Sequence, residues 1–517
     1  MNKPHTRKHG FVRGLDLAPT PNGSVSAENV LIPFSSISEG RFGRMFRTLP
    51  KASFSDSAVQ ILASKMVADK EPNFTEETEK DDEENSGISA GYTYLGQFID
   101  HDITFDPASS LQKENDPNAL VDFRTPRFDL DNLYGRGPDD QPYLYEADGK
   151  KFILGRALSG SDFDSNVQDL QRNNPTTGDK RAIIGDPRND ENVIVSQLQS
   201  VFLRFHNRMV DEFPDADFQS IQRLVRWHYQ WVILHDFLPT IIGEETYKKL
   251  LPNIQKKNNH DRYKSTRKFY TWKNEPFIPV EFSVAAYRFG HSMVRPIYRL
   301  NQGIPRFEIF SADPNTSLTG FREFPANWAI DWRLFFDFGN KPNPLSPFRI
   351  QPAYKIDSSL VNPLGKLPPS IGGQVPSLAF RNLKRGVTMG LPSGQSVAKK
   401  MGIEVIPDDK LKVGKANQDG ENDNLSLESL DPSFRHNAPL WFYILAESQQ
   451  AFKNNDTPIH LGPVGGTIVG EVFIGLLEGD KFSFVSQDPL WHPLSTFQND
   501  GKFGITELIS AAISKKE

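Results

Sequence analysis

The sequence predicts one large, mainly α-helical domain with long ordered loops and little β-structure. Its strongest helical pattern covers residues 194–213, where apolar side chains recur every three or four positions. Strand signals are few and short, and no repeat or low-complexity linker divides the 517 residues. The 38 prolines and 37 glycines require many turns and irregular connections between the helices.

Other helices are predicted from the same periodicity. They cover residues 57–67, 94–106, 218–242, 280–294, 439–452 and 466–477. Residues 1–50 are rich in Gly, Pro and Ser, so we expect an arm that wraps around a catalytic domain formed by residues 51–517. Residues 71–85 are strongly acidic and are predicted to form a solvated loop or the lead-in to the next helix.

Composition limits the classes of function. The formal net charge of −6 gives no sign of nucleic-acid binding. No apolar run approaches the ~18 residues that span a bilayer, and no apolar segment follows the basic N-terminus as in a signal peptide. We therefore expect a monomer without a membrane span that is cytoplasmic or is secreted by a route without a cleaved N-terminal signal.

The chain contains no cysteine, which excludes disulfides and thiolate ligation of a metal or haem. Soft-metal or haem ligation must then come from the 11 histidines. The first candidate lies in an apolar stretch that also carries Gln97, Asp100, His101 and Asp102. On a helix Gln97 and His101 share a face, and burying such groups is costly unless each has a partner. A solvated polar cluster on a surface helix is the alternative.

Two further segments carry candidate residues. Arg188 and Glu191 lie at the N-terminal end of the predicted helix 194–213, where the helix dipole favours a carboxylate. His291 lies in an apolar helix beside Gly290, and Arg288 is three residues earlier on the same face. Taken singly, a surface or capping arginine and a hydrogen-bonded core histidine are the more common explanations of these segments.

A fourth segment is a polar loop. Thr125, Asp129 and Asp131 are closely spaced along it, and Asp102 comes earlier in the chain. Such clusters of hard oxygen ligands suit Ca²⁺. A polar turn without a metal is the alternative.

Together and in this order, the segments resemble the animal-type haem peroxidases of the peroxidase–cyclooxygenase superfamily, and most of all its bacterial members. The resemblance extends from about residue 90 to residue 480 and implies the helical haem peroxidase fold. It is carried by residues 96–102 (GQFIDHD), 188–191 (RNDE), 203–208 (LRFHNR), 287–291 (YRFGH), 390–395 (GLPSGQ) and 462–466 (GPVGG).

The resemblance implies a haem b cofactor and assigns roles around it. His291 would be the proximal ligand of the iron, oriented by Gln395. His101 would be the distal acid–base that moves a proton from the bound peroxide oxygen to the leaving oxygen, so that water departs and an oxoferryl species remains. Arg188 would stabilise the charge on the leaving oxygen, and Gln97 would line the distal pocket.

Further roles concern attachment of the haem. Asp100 and Glu191 match the two carboxylates that form ester links to haem in mammalian members, and Arg288 would pair with a propionate. Asn192 stands where one mammalian enzyme has the methionine of a sulfonium link, which excludes that link here. A less oxidising haem is therefore expected, with iodide, thiocyanate or bromide preferred over chloride.

A Ca²⁺ site would be formed by Asp102, Thr125, the Arg127 carbonyl, Asp129 and Asp131. Because Asp102 adjoins His101, the ion would anchor the distal helix. The implied substrates are hydrogen peroxide and a halide, thiocyanate or small aromatic reductant.

Two alternatives stay open at this point. A fatty-acid dioxygenase of the same superfamily would need a tyrosine three residues before the proximal histidine. That position is Arg288, and the neighbouring Tyr287 lies about 100° away around a helix. A non-catalytic helical binding or adhesion protein on the same fold would not need His101 or His291, yet the chain has both.

Overall fold

The computed structural model describes most of the chain. Residues 1–39, which make up most of the predicted N-terminal arm, lie outside the described residues, as do residues 70–81 of the acidic segment. The described residues are 40–69, 82–104, 121–122, 124–256, 258–272, 276–311, 313–339, 346, 348–373, 375–417, 424–453 and 456–514.

Helices dominate these ranges, as predicted. The α-helices are α1 (Asp56–Lys65), α2 (Gly91–Ile103), α3 (Asp131–Tyr134), α4 (Val193–Glu212), α5 (Phe218–Val232), α6 (Leu238–Leu250), α7 (Asn362–Gly365), α8 (Pro369–Gly372), α9 (Leu378–Thr388), α10 (Gly394–Met401), α11 (Leu427–Leu430), α12 (Leu440–Gln449), α13 (Pro463–Gly479), α14 (Phe484–Gln487) and α15 (Ile505–Ile513). The 3₁₀ helices are Pro142–Leu144, Pro187–Asp190, Ala286–His291, Trp332–Leu334, Asp408–Lys410, Pro432–Phe434 and Ser495–Phe497.

Strands are short, which agrees with the prediction of little β-structure. They are β1 (Gly40–Gly43), β2 (Glu84–Ser89), β3 (Val121–Asp122), β4 (Ile278–Pro279), β5 (Ile297–Tyr298), β6 (Phe307–Glu308), β7 (Pro352–Tyr354), β8 (Lys412–Val413) and β9 (Leu425–Ser426). β1 pairs antiparallel with β3 and parallel with β4, and the other sheets are the pairs β2–β7, β5–β6 and β8–β9.

The core that positions α2 is aromatic. Phe98 of α2 stacks on Phe202 of α4 with ring centroids 4.4 Å apart, and Tyr229 of α5 packs edge-on against both rings. Such pairs contribute about 0.5–1.5 kcal/mol beyond their buried area. Two helices, α4 and α5, therefore hold one face of α2 and leave its other face to line a cavity.

The start of α2 depends on a close approach. The Gly91 amide donates to the Phe335 carbonyl at 3.0 Å. A Cβ on Gly91 would lie 2.3 Å from the Phe336 ring. Only glycine fits there, and the helix begins pressed against this neighbouring segment.

Two predicted helices, 218–242 and 280–294, are not continuous α-helices. α5 gives way to a π-helical turn at Ile233–Phe237 before α6 begins. Pro239 has no amide hydrogen to donate to the carbonyl four residues earlier, which breaks the α-helical ladder at this point. The second segment is a π-helical turn at Glu281–Ala285 followed by the 3₁₀ helix Ala286–His291. Short π-helical turns often occur at functional sites.

Residues 40–50, the end of the predicted arm, pack into the domain. Phe42 and Phe46 are buried. The Glu281 carboxylate accepts hydrogen bonds from the Met45 amide at 2.9 Å and the Phe46 amide at 3.0 Å. This segment is therefore fixed to the π-helical turn before His291.

Of the two predictions for the acidic segment, the solvated loop is wrong at the C-terminal end, where β2 leads directly into α2. Glu84 and Asn85 are buried. The Glu84 carboxylate forms ion pairs with Arg295, at 2.9 Å, and with Arg349. Two distant arginines balance the charge, and the local sequence gives no sign of them. Among the described helices, none combines the length and the apolar composition that a bilayer crossing requires.

Candidate active site

A cavity of about 880 Å³ is lined by α2, α9 and the 3₁₀ helices Pro187–Asp190 and Ala286–His291. Its volume lies within the range of about 300–1,000 Å³ that is usual for cofactor and ligand sites. The cavity brings together seven of the predicted site residues, which are Gln97, Asp100, His101, Arg188, Glu191, Arg288 and His291.

His101 is held in one tautomer by a chain of side chains. The amide of Asn189 donates to the Gln199 side-chain oxygen at 2.8 Å, so the Asn189 oxygen faces His101. That oxygen only accepts, so His101 Nδ1–H donates to it at 2.6 Å. Burial, together with nearby Arg188, lowers the pKa of His101 to about 4. The imidazole is thus neutral near pH 7 and keeps Nε2 as a proton acceptor on the cavity wall.

The Arg188 guanidinium lines the same wall and is tied to its surroundings. Its Nε and Nη2 donate to the Asp186 carboxylate at 3.1 and 2.8 Å. Nη2 also donates to the carbonyl oxygens of His101, at 3.1 Å, and Thr104, at 2.5 Å. Arg188 is therefore attached to the C-terminal turn of α2 and moves with His101.

Gln97 connects Glu191 with the start of α4. Its amide nitrogen donates to Glu191 Oε1 at 2.5 Å, and its oxygen accepts from the Asn192 side chain at 3.1 Å. The Asn192 oxygen caps α4 by accepting from two backbone amides. Burial raises the pKa of Glu191 to about 7, against the opposing effect of Arg188.

Asp100 and Arg288 join α2 to the 3₁₀ helix that carries His291. Arg288 Nη1 lies 3.6 Å from Asp100 Oδ2, and Asp100 Oδ1 accepts from the Thr104 hydroxyl at 3.2 Å. Arg288 Nε donates to the Ser283 carbonyl at 2.8 Å. The pair places a carboxylate and a cation side by side at the cavity wall.

The partner of His291 is Asn382 of α9. The amide nitrogen of Asn382 lies 2.7 Å from His291 Nδ1. Burial, with Arg288 adding to the effect, lowers the pKa of His291 to about 3, so the ring is neutral. Coordination of a metal through Nε2 requires a proton on Nδ1, and the Asn382 amide must then present its oxygen to Nδ1.

The prediction that Gln395 orients His291 is wrong. The Gln395 side-chain oxygen accepts from the Ala438 amide at 2.8 Å, and its nitrogen donates to Asp408 Oδ1 at 3.2 Å. Both groups of the amide are used in fixing α10 to the segment before α12. The motif at residues 390–395 follows α9 closely in sequence, but the side chain near His291 comes from α9 itself.

The cavity fits a haem by three observations. A Cβ on Gly290 would meet no protein atom within 4 Å, so the backbone beside His291 faces open space. Nε2 of His291 has no hydrogen-bond partner among the described residues, which leaves it for a metal. Arg288, Arg381 and Arg385 line the cavity and offer cations for two propionates.

Asn189, Arg381, Asn382 and Arg385 were not predicted as site residues. A signal for Asn382 is present in the sequence. Along α9 the buried side chains are Ala379, Asn382 and Leu383, so a polar residue lies on the apolar face of a short amphipathic helix. Buried asparagines of this kind require a partner, and the partner here is the histidine.

The predicted calcium-binding residues form a second site. Side-chain oxygens of Asp102, Asp129 and Asp131 lie within 4.8 Å of one another, and all three residues are buried. Among the described residues, none donates a hydrogen bond of normal geometry to the Asp102 carboxylate. Burial, together with Asp129 and Asp131, raises the pKa of Asp102 well above its ordinary value. A divalent cation would supply the missing partner.

Thr125 and Arg127 complete the loop around these carboxylates. The Thr125 hydroxyl donates to Asp129 Oδ2 at 2.6 Å. The Thr125 carbonyl accepts from the Arg127 amide at 2.8 Å, and the Arg127 side chain lies 3.8 Å from Asp480. The turn therefore holds hydroxyl and carboxylate oxygens close together.

Comparison with known proteins identifies the family. Residues 109–490 match the family model of the animal haem peroxidases. A peroxidase-like protein of Margaritifera margaritifera is 25% identical over 479 residues, which cover 77% of this chain and 55% of that protein. The chain spans about half the length or less of the curated relatives that it matches.

Two solved structures share the fold. Peroxidase A of Dictyostelium discoideum superposes with a TM-score of 0.61 at 16% identity, covering 92% of this chain and 93% of that one. A fatty acid alpha-dioxygenase of Oryza sativa gives a TM-score of 0.54 at 13% identity, covering 92% and 80%. The resemblance to the animal-type haem peroxidases is confirmed, and the chain belongs to the animal haem peroxidase family.

Proposed function

We propose that the protein is a haem-dependent peroxidase that reduces hydrogen peroxide and oxidises a halide, thiocyanate or small aromatic donor. The observation that carries the proposal is the pairing of two neutral histidines on the wall of one cavity. His291 keeps Nε2 available for the haem iron, and His101 keeps Nε2 as a proton acceptor. A bound haem supplies the site that activates peroxide and stores its oxidising equivalents.

The residues of this chain transfer the proton, stabilise the developing charge and orient the two histidines. His101 accepts a proton from the attacking peroxide oxygen and returns it to the departing oxygen as water forms. Arg188 donates to the departing oxygen, where negative charge builds up. Asn189 and Gln199 hold His101 in the tautomer that accepts at Nε2. Asn382 holds the ring of His291 and adjusts its basicity.

We further propose that Asp100 and Glu191 are attachment points for the haem. Both carboxylates line the cavity, and each lies beside a group that restricts its orientation, Arg288 for the first and Gln97 for the second. A pyridine haemochrome spectrum taken before and after acid-acetone extraction tests haem content and attachment together. The protein is exposed to peroxide before the extraction. Haem that stays with the protein after acid-acetone extraction supports ester links, and complete extraction of the haem contradicts them.

The fatty-acid dioxygenase alternative finds no further support at the site. The position three residues before His291 carries Arg288, which is paired with Asp100. Tyr287 donates its hydroxyl to the Gly96 carbonyl at 3.2 Å and stacks on Phe282. Robust oxygen uptake with a polyunsaturated fatty acid would favour that activity over peroxide reduction.

The pH dependence follows from the distal histidine. Only neutral His101 can accept the first proton, and its pKa is about 4 rather than the ordinary 6.5. The rate constant for reaction with peroxide is therefore expected to stay constant from about pH 7.5 to pH 5 and to fall as the pH drops through about 4. Stopped-flow spectroscopy across this range measures it, with the Soret absorbance checked for haem loss. A midpoint near 6.5 would contradict the lowered pKa of His101.

We also propose that Asp102, Thr125, Asp129 and Asp131, with the Arg127 carbonyl, bind Ca²⁺. The support is a buried group of three carboxylates with oxygens within 4.8 Å of one another. Oxygen ligands of this kind and number suit Ca²⁺, which takes six to eight of them at about 2.3–2.6 Å. Because Asp102 follows His101 directly, the ion would fix the C-terminal turn of α2.

Addition of Ca²⁺ to chelator-treated protein is expected to stabilise it, by about 2.7 kcal/mol at a concentration of about 100 times Kd. The shift of Tm with Ca²⁺ concentration measures this effect. Asp129→Asn should abolish the shift, while Asp140→Asn, at a side chain that is 38% exposed, should retain it. An equal response of both variants would place the cation elsewhere.

A further inference from the structure

A chain of buried ion pairs connects the carboxylate cluster with the cavity. Arg124 Nη1 lies 3.0 Å from Asp131 Oδ1, in the cluster. The same guanidinium donates through Nε to Asp186 Oδ2 at 3.2 Å, and its Nη2 also pairs with Asp186. Asp186 in turn holds Arg188 at 2.8 Å. Four alternating charges thus lead from the cluster to the cavity wall.

Three of the four ion-paired residues are buried. The side chains of Arg124, Asp131 and Asp186 are 1%, 6% and 0% exposed. Burial alone would raise the pKa of Asp186, but Arg188 and Arg124 lower it below its ordinary value. Charges in such surroundings interact strongly and each depends on its neighbours for compensation. A change of charge at one end should therefore be felt at the other.

At the carboxylate cluster, the Arg124 guanidinium already supplies a positive charge beside Asp131. A divalent ion held by Asp102, Asp129 and Asp131 would compete with Arg124 for Asp131 and would repel its guanidinium. Asp186 is a second counter-ion of Arg124 and lies on the side towards the cavity. Cation binding should therefore draw the Asp186 carboxylate towards Arg124 and weaken its hold on Arg188.

At the cavity end, Arg188 has a side chain that is 25% exposed and lines the cavity. It also donates to the carbonyl oxygens of His101 and Thr104. These two acceptors are neutral, whereas Asp186 is an anion that is hydrogen-bonded to the guanidinium. A weaker Asp186–Arg188 pair leaves more of the guanidinium's donor capacity for a ligand in the cavity.

We propose that Arg124 and Asp186 are positioning residues that transmit cation binding at the carboxylate cluster to Arg188, making Arg188 more available to ligands in the cavity. The inference rests on the cation site proposed above. It couples two sites through named ion pairs, and by linkage a ligand that engages Arg188 must strengthen cation binding by the same factor.

The test measures the reactivity of individual arginines in the full-length protein. Phenylglyoxal modifies accessible guanidinium groups, and peptide mass spectrometry gives the rate at each position with Ca²⁺ or with a chelator. Ca²⁺ is expected to raise the rate at Arg188 about fivefold, at the lower end of common coupling effects. Arg288, in the same cavity and 34% exposed at its side chain, serves as internal reference and should not respond.

Variants distinguish coupling through the ion pairs of Arg124 from a general effect on the stability of the protein. Arg124→Gln should remove the Ca²⁺ response of Arg188, whereas Arg124→Lys, which keeps the charge, should retain part of it. Arg172→Gln is the matched control, since Arg172 is also buried between two carboxylates, Asp169 and Asp190. That variant should respond to Ca²⁺ as the unmodified protein does.

The outcomes are distinct. An Arg188 rate that Ca²⁺ leaves unchanged or lowers overturns the proposal, and so does a full response in Arg124→Gln. Calorimetric titration with Ca²⁺ reports whether the cluster binds the ion at all, and its failure would remove the cation site along with the coupling. Because neither measurement requires haem or turnover, both are independent of the peroxidase proposal.

A second readout uses the haem-loaded protein. Cyanide binding, followed by the Soret shift, should be about fivefold tighter with Ca²⁺ than with chelator, since cyanide in the cavity would accept a hydrogen bond from the Arg188 guanidinium that lines it. Arg124→Gln should bring this ratio close to one, while Arg172→Gln should leave it unchanged. A ratio that persists in Arg124→Gln would assign the coupling to the Asp102–His101 backbone instead.

Discussion

Replacement of His291 by alanine is expected to abolish stable haem binding. Its imidazole is the half-buried group beside Gly290 whose Nε2 has no hydrogen-bond partner among the described residues. The variant keeps Arg288, Arg381 and Arg385 as cations that would hold the propionates, but it lacks the histidine that would hold the iron. Haem titration followed at the Soret band and by pyridine haemochrome measures the loss.

The control for this variant is His436→Ala, which removes a histidine whose side chain is 80% exposed and lies outside the cavity lining. It should bind haem as the unmodified protein does. Added imidazole should restore part of the binding to His291→Ala, since a small ligand can fill the space left by the ring. Normal haem content in His291→Ala would refute the ligand assignment.

Replacement of His101 by alanine should leave haem bound but slow its reaction with peroxide by about 10²–10⁴-fold, the usual contribution of a positioned acid–base group. The variant removes the proton acceptor at the cavity wall while Arg188 keeps its contacts with Asp186. Stopped-flow mixing with peroxide at pH 7 gives the rate constant from the change in the Soret band.

The matched control is Gln97→Ala, on the same face of α2 and one turn earlier. Gln97 orients Glu191 but has no place in proton transfer to peroxide, so its removal should slow the reaction far less. If His101→Ala and Gln97→Ala react at similar rates, the distal acid–base role belongs to another group. Unchanged haem content in both variants separates chemistry from cofactor loss.

Much of the site was predictable because its residues lie close together along the chain. Gln97 and His101 are four residues apart, and Arg288 and His291 are three apart, so helical geometry alone places each pair on one face. The same holds for the loop that carries Thr125, Asp129 and Asp131. The family resemblance then ordered these segments around one haem, and the cavity contains each of the distal and proximal residues it named except Gln395.

The errors occur where a partner comes from far away in sequence. The residue beside His291 is Asn382, which is 91 positions later, whereas Gln395 serves the packing of α10. Glu84 is buried because Arg295 and Arg349 reach it across 211 and 265 positions. The π-helical turns before α6 and before His291 also depend on hydrogen bonds that hydrophobic periodicity does not record.

Hydrophobic periodicity in the sequence was sufficient to predict the helical class. The order of the motifs carried the resemblance to the family, which named most of the residues that can do the chemistry. The contacts that hold those residues are visible only in the tertiary structure. In that structure Asn382 is the hydrogen-bond partner of His291, and Asn189 is the partner of His101. Arg188 is paired with Asp186, which is paired in turn with Arg124. The physical reason is that a buried polar group takes its partner from whichever element packs against it, and packing joins positions that no local pattern links.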